Sequence, residues 1–280
     1  MSYKNAFEKI LEMKVNDKTL KEIIEEDVKN CLNNKKLIEE GKIPLGPIIT
    51  AICFLCSRSG RFAEVDKKCR EKLETIPNVL SYFSKPENVD SFLCEVFKSE
   101  SSQKEKARQK IPKLLNKLRE LEETLKNLTS GEERLKKFKG KFEEILRDVG
   151  IGLKGINNLL RDCGYTERIP IDIHEKRFLL RTGIFHRYAP ADGDPLNDEH
   201  LSKTLTNFSK SELAEISIGG VSLGDHPGLV DFIIWYYCQE KTTKEVNLNV
   251  CGEKPRCDNC PFSAMKLCMF AVSRAIQASI

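Results

Sequence analysis

No run in this 280-residue sequence approaches the roughly 18 apolar residues that a membrane-spanning helix requires. Its first residues, Met1-Ser2-Tyr3-Lys4-Asn5, lack the apolar stretch of a secretory signal. These two absences predict an intracellular protein. Alternating β-branched segments are scarce, so a sheet-based core is not expected. There is no internal repeat and no low-complexity linker, which argues against a solenoid and against a disordered chain. The hydrophobic share of 40% is enough to build a real core, and the length fits one large domain or two intimate ones.

What is present is mostly helical in pattern. Residues 4–40 read as helices rich in Lys and Glu. After Leu45-Gly46-Pro47 comes a nearly continuous apolar run, Ile48 to Cys56, which predicts a buried helix starting near Pro47. Residues 101–128 read as one long basic helix, bent at Pro112. Ser130 and Glu133 have capping-box spacing ahead of Leu135, Phe138, Phe142, Ile145 and Leu146, which share one helical face. That helix must stop at Gly150-Ile151-Gly152. A second helix follows on Leu153, Ile156 and Leu160 and ends near Gly164. Residues 187–225 read as loops with short helices, and LVDFIIWYYC after His226-Pro227-Gly228 reads as a buried helix.

Charge is unevenly spread. Residues 101–142 hold thirteen Lys and Arg against six Glu, a local net of +7 in a chain whose net charge is +4. Such a segment is either the footprint of a polyanion or a solvated helix face laced with Glu–Lys pairs.

Three motifs carry chemistry. In Val149-Gly150-Ile151-Gly152-Leu153-Lys154, glycines permit backbone angles closed to other residues and clear the way for close approach. The amides at the start of the following helix can then grip a phosphate. Lys154 is either a surface lysine or a nucleophilic amine. As a nucleophile it needs a pKa lowered by partial burial and by the positive end of the helix. Eighteen residues on, Asp172 stands three residues before Glu175. It is a helix cap, a fixed carboxylate, or both. Finally, four of the eleven cysteines crowd together as Cys251, Cys257, Cys260 and Cys268, with CxxC at the centre. An intracellular setting favours metal ligation over disulfides. Four thiolates suit zinc or an iron–sulfur cluster.

The order and spacing of these motifs resemble the endonuclease III superfamily of helix-hairpin-helix DNA glycosylases. There the hairpin reads Pro-Gly-Val-Gly-x-Lys, the aspartate segment Val-Asp-Thr-His-x-x-Arg, and the cysteines C-x6-C-x2-C-x5-C. Here the last pattern is C-x5-C-x2-C-x7-C, with Lys254-Pro255-Arg256-Cys257 similar to the family's basic loop. The resemblance covers about residues 45–270. It implies an all-α fold of two helical domains, one at 46–163 holding the hairpin, the other combining 1–45 with 164–280 and carrying a cysteine cluster loop. It also implies a base-excision enzyme with lyase activity acting as a monomer on double-stranded DNA that contains a damaged base. Lys154 and Asp172 would be catalytic, and Gly150, Gly152, Lys254 and Arg256 would contact DNA. The four cysteines would hold a [4Fe–4S] cluster, with zinc as the alternative. The family's Leu-Ser-x-Gln-Thr-like pocket segment is absent, since Phe54-Leu55-Cys56-Ser57-Arg58-Ser59-Gly60-Arg61 stands in its place. The damaged base, whether oxidised pyrimidine, oxidised purine or mismatch-derived, is therefore left open. Two rival readings are a non-catalytic DNA-binding module and a zinc-stabilised interaction scaffold. A pure binder has no need of Lys154 or Asp172.

Overall fold

A computed structural model describes residues 2–57, 63–192, 194, 197–239 and 248–269. The chain begins with α1 (Tyr3–Glu12), a two-residue-per-strand ribbon β1 (Lys14–Val15) and β2 (Lys18–Thr19), and α2 (Leu20–Glu39). There follow α3 (Leu45–Ser57), α4 (Ala63–Glu74), α5 (Val79–Tyr82), α6 (Pro86–Val96), α7 (Ser102–Lys126), α8 (Gly131–Asp148) and α9 (Leu153–Asp162). Beyond these come α10 (Ile173–Thr182), α11 (Ile184–Tyr188), α12 (Asp198–Glu212), a second ribbon β3 (Ser217–Ile218) and β4 (Val221–Ser222), α13 (Val230–Cys238) and α14 (Pro261–Ala264). The fold is all-α, as the scarcity of alternating strands implies. Both ribbons are antiparallel.

The chain divides into two compact units, one of residues 1–30 with 166–280, the other of residues 31–165. The boundary falls inside α2, fifteen residues before the sequence-based boundary at 46. The first half of that helix buries Leu20, Ile24 and Val28 in one core, and Ile38 belongs to the other.

In the 31–165 unit, α3 packs against α4, α7 and α9. It is buried almost all round, at Ile48, Ile49, Ala51, Ile52, Cys53, Leu55 and Cys56, which explains its unbroken apolar run. On α7, Ile111, Leu114, Leu115 and Leu118 face the same core, and Pro112 sits inside the helix. Ser130 caps α8 by accepting the Glu133 N–H at 3.1 Å. Phe138 and Phe142 then stack at 4.8 Å, with Tyr165 parallel to Phe138 at 6.1 Å. Much of the charge on α7 and α8 is paired: Lys113 and Lys117 with Asp148, Arg108 with Asp90, Lys126 with Glu123, and Lys141 with Glu144. That is the solvated-face arrangement, in which each exposed pair contributes at most about 1 kcal/mol.

The other unit is built around a knot of aromatic edges. Phe178 of α10 meets Phe262 of α14 at 5.2 Å and 88°, and Phe7 of α1 meets Phe178 at 5.9 Å and 82°. Residues 187–225 depart from the loop-rich expectation, because α12 runs for 15 residues. Asn197 caps it by accepting the Glu199 N–H at 2.8 Å, and Leu201, Leu205 and Phe208 are buried at helical spacing. The polar residues between these three obscure the stripe in the sequence.

Candidate functional site

The hairpin lies in the 31–165 unit, between α8 and α9. Helix α8 ends when the Gly150 and Ile151 N–H groups turn back to the carbonyls of Arg147 and Leu146, both at 2.9 Å. Gly150 has φ +80, a backbone state that side chains rarely tolerate, so glycine is required there on conformational grounds. Gly152 is different. Its φ is −74, ordinary for any residue, and a Cβ at this position would stand in open space. Among the described residues nothing requires glycine at 152; what its absent side chain leaves clear is the approach to the first amides of α9. Those amides have no earlier carbonyl of their own helix to bond, as at every helix start.

Lys154 stands in the first turn of α9, exposed, on a turn that carries no acidic residue. The partial burial expected of a nucleophilic amine is not supplied by this unit; the helix N-terminus is. Leu153, expected on the buried stripe, is 37% exposed beside it, whereas Ile156 and Leu160 are buried. Gly155 has a packing reason that the sequence did not reveal. A Cβ there would come within 2.7 Å of Ile151 and 3.3 Å of Phe54, so this glycine lets α9 close on α3. Of the segment that replaces the family's pocket motif, Phe54 to Ser57 end α3, while Arg58, Ser59, Gly60 and Arg61 lie outside the described residues.

Asp172 belongs to the other unit, as the N-cap of α10. Its Oδ1 accepts the His174 N–H at 2.6 Å, and its own N–H donates to Glu175 Oε2 at 2.8 Å. The reciprocal capping box read from the sequence is thus formed, and the half-buried carboxylate is held at the positive end of a ten-residue helix. Its partner Glu175 is fully buried. Burial, and then the adjoining Asp172 carboxylate, push the Glu175 carboxyl well above the usual carboxylate range.

The cysteine loop is in the same unit as Asp172. Cys251, Cys260 and Cys268 are buried, and Cys257 is partly so. The loop is braced by a residue the sequence reading missed. The Arg181 guanidinium, at the end of α10, donates to the carbonyls of Cys251 at 3.0 Å and Gly252 at 2.6 Å. Cys238, which lies outside that cluster in the sequence, ends α13 beside Cys251. Its thiol and Arg181 together bring the Cys251 thiol down to about 7. The Tyr237 O–H points at Cys260 Sγ, 3.0 Å away. Lys254 is exposed, while the Arg256 guanidinium is turned onto its own loop, donating to the carbonyls of Asn249 at 2.8 Å and of Leu248. The donor set suits a thiophilic metal centre: four thiols within residues 251–268, three of them buried, one already inclined to its anionic form. Among the described residues no three Cys, His, Asp or Glu side chains are gathered tightly enough to enclose a metal ion.

Of the residues singled out in the sequence, Gly150, Gly152 and Lys154 come together on one unit. Asp172, Lys254, Arg256 and the four cysteines lie on the other, with α10 carrying Asp172 at one end and the loop-bracing Arg181 at the other. No helix among the described residues is long and apolar enough to cross a membrane.

Comparison with known proteins finds a partial likeness. Two 8-oxoguanine DNA glycosylase/AP lyases of Saccharolobus islandicus, from strains Y.N.15.51 and L.S.2.15, are each 34% identical to this chain over 94 residues. That stretch is 34% of this chain, and it spans only 40% of the length of either relative. No family model matches, and no solved structure does.

Proposed function

We propose that this protein is a DNA glycosylase with an associated lyase activity, removing a damaged base through an amine nucleophile. The observation that carries the reading is the hairpin. A glycine forced into positive φ turns the chain, a second glycine leaves open space before a helix start, and an exposed lysine stands in the first turn of that helix. Backbone amides there would grip a DNA phosphate, and phosphate contacts position the duplex without reading its sequence. The partial likeness to named glycosylase/lyases supports the same reading.

In the proposed chemistry the unprotonated Lys154 amine attacks the sugar carbon C1′. The carbon–nitrogen bond to the base breaks, and the base departs with the bonding electrons and takes up a proton. Positive charge builds on the deoxyribose as the base leaves, and a fixed carboxylate opposite it stabilises that charge. Asp172 is assigned this part because its cap bonds keep it ordered and the helix N-terminus favours its ionised form. In the amine–sugar adduct the nitrogen lone pair forms a C1′=N bond as the C1′–O4′ bond breaks; O4′ takes up a proton and stays on the sugar as the C4′ hydroxyl, leaving a protonated Schiff base. Loss of a proton from C2′ then expels the 3′ phosphate and nicks the strand. The target base would be turned out of the duplex to be reached at all. The relatives' names make 8-oxoguanine the first base to test.

Cys251, Cys257, Cys260 and Cys268 would hold a [4Fe–4S] cluster, with zinc as the alternative. Its contribution would be structural, pinning the loop that presents Lys254 to phosphate. Metal analysis of anaerobically purified protein is expected to find iron and sulfide; zinc alone overturns the cluster assignment.

The exposure of Lys154 favours one second reading, a DNA-binding module in which this lysine is a surface cation and not a nucleophile. The two separate on a duplex carrying a single 8-oxoguanine opposite cytosine. The enzyme nicks it at the lesion, whereas the module binds it and leaves it whole. Failure to cut any duplex of a panel with oxidised purines, oxidised pyrimidines, uracil mismatches and abasic sites overturns the glycosylase reading.

A further inference from the structure

The N3 glutamate of a capping box ordinarily sits at the surface, ionised, with water around its second oxygen. Glu175 does not. Its side chain has no exposure at all. Oε2 accepts one hydrogen bond, from the Asp172 N–H, and Oε1 is buried without a partner. An ionised carboxylate offers about four acceptor sites, and burying one with an oxygen left unsatisfied is strongly unfavourable. The titratable groups that face it make matters worse for the anion. Asp172 adjoins it from the start of the same helix, and the Cys238 thiol approaches from α13, packed across α10. The Arg181 cation acts on that same thiol. Two carboxyl groups this close do not both ionise readily, and the half-exposed one at the helix N-terminus is the better place for the charge.

We propose that Glu175 is a positioning residue for Asp172, a buried neutral carboxylic acid that anchors the Asp172 backbone and leaves Asp172 as the single ionised member of the pair. This rests on the reading of Asp172 as the carboxylate that stabilises the sugar cation. Nothing in the sequence separates Glu175 from an ordinary cap; the distinction lies in its burial and its orphaned oxygen. A neutral acid at N3 still closes the capping box through its carbonyl oxygen. An anion there would repel the neighbouring charge and rearrange the cap, so rising pH should degrade the site through Glu175.

Two measurements test this, and only the second depends on catalysis. The first compares the stability of Glu175→Gln and wild type across pH. Glu175 binds its proton more tightly folded than unfolded, so its folded pKa lies above its unfolded one. The stability it contributes is full below the ordinary carboxylate range and is lost as pH rises towards the folded pKa. Over that window the wild type should lose about tenfold in its folding equilibrium constant per pH unit relative to Glu175→Gln. A difference that stays flat from pH 4 upward means an ordinary ionised cap and overturns the proposal. The second compares single-turnover base release from the 8-oxoguanine duplex. Glu175→Ala should slow it by about 10²-fold, as misplacing a reacting group does. Glu175→Gln should recover most of that loss and carry the alkaline limb of the rate profile to higher pH. A pH-dependent stability difference with an unmoved rate profile overturns the positioning role while the neutral acid stands. A wild type inactive on every duplex refutes the glycosylase reading instead, and leaves the stability result to stand by itself.

Discussion

Replacing Asp172 separates two things one carboxylate does, because its two contributions have different magnitudes and different chemical requirements. As a cap, it accepts the His174 N–H at 2.6 Å. Asp172→Ala removes that acceptor and lowers stability by about 1 kcal/mol. In a unit of this size the melting temperature should fall by about 2–4 °C. Asp172→Asn keeps an oxygen acceptor of the same length at the same place, and its loss should stay within about 0.5 kcal/mol. As a fixed charge, Asp172 is worth more. Removing one preorganised group aimed at transition-state charge typically lowers the rate by about 10²–10³-fold, or about 2.7–4 kcal/mol. Neither Ala nor Asn restores a charge. The two variants should therefore differ in melting temperature and agree in rate, both slow, while each still binds the lesion duplex. The assay is single-turnover base release beside thermal melting of the same preparations. If Asn restores the rate, or if rate loss merely follows stability loss across the pair, Asp172 is only a cap and its catalytic assignment is wrong.

The hairpin glycines should respond in opposite ways. Gly150→Ala places a side chain at φ +80 and should cost about 1–2 kcal/mol by chemical denaturation; Gly152→Leu, with open space at its Cβ, should leave stability nearly intact while weakening DNA binding on all sequences alike. Lys254→Glu should make the salt dependence of DNA binding shallower by about one to two contacts' worth without disturbing the loop. An unchanged slope in anisotropy titrations removes Lys254 from the phosphate contacts. Arg181→Met removes charged hydrogen bonds to two carbonyls of the cysteine loop, each worth about 1.5–3 kcal/mol. Limited proteolysis should then cut within residues 251–268 faster than in wild type, and equal rates would show that Arg181 does not brace the loop.

What was legible in the sequence followed local rules. The end of α8 at Gly150, the caps at Ser130 and Asp172, and the buried run of α3 each depend on a few neighbouring residues. The helix α12 was hidden because polar residues crowd its sequence, although Leu201, Leu205 and Phe208 keep the helical spacing. Leu153 looked like core because it falls on the apolar side of a short helix, yet the helix start lifts it out to 37% exposure. Other features need the folded chain. Arg181 reaches Cys251 across 70 residues, and Cys238 meets the same thiol from the end of α13. Arg256 reads in sequence as a cation for DNA; in the folded chain its exposed guanidinium also donates to the carbonyls of Asn249 and Leu248, two contacts the sequence does not show. Glu175 reads as half of a surface cap, and only burial shows how little solvates it.

Borohydride trapping on the 8-oxoguanine duplex tests the central claim most directly, because it captures the bond that the proposed mechanism requires. Wild-type protein with borohydride should give a covalent protein–DNA adduct, with the linkage mapped to Lys154. Lys154→Gln should give none and should not nick the strand. It should fold normally, since the side chain it replaces is exposed. A trapped adduct on another residue, or full nicking by Lys154→Gln, would contradict the account.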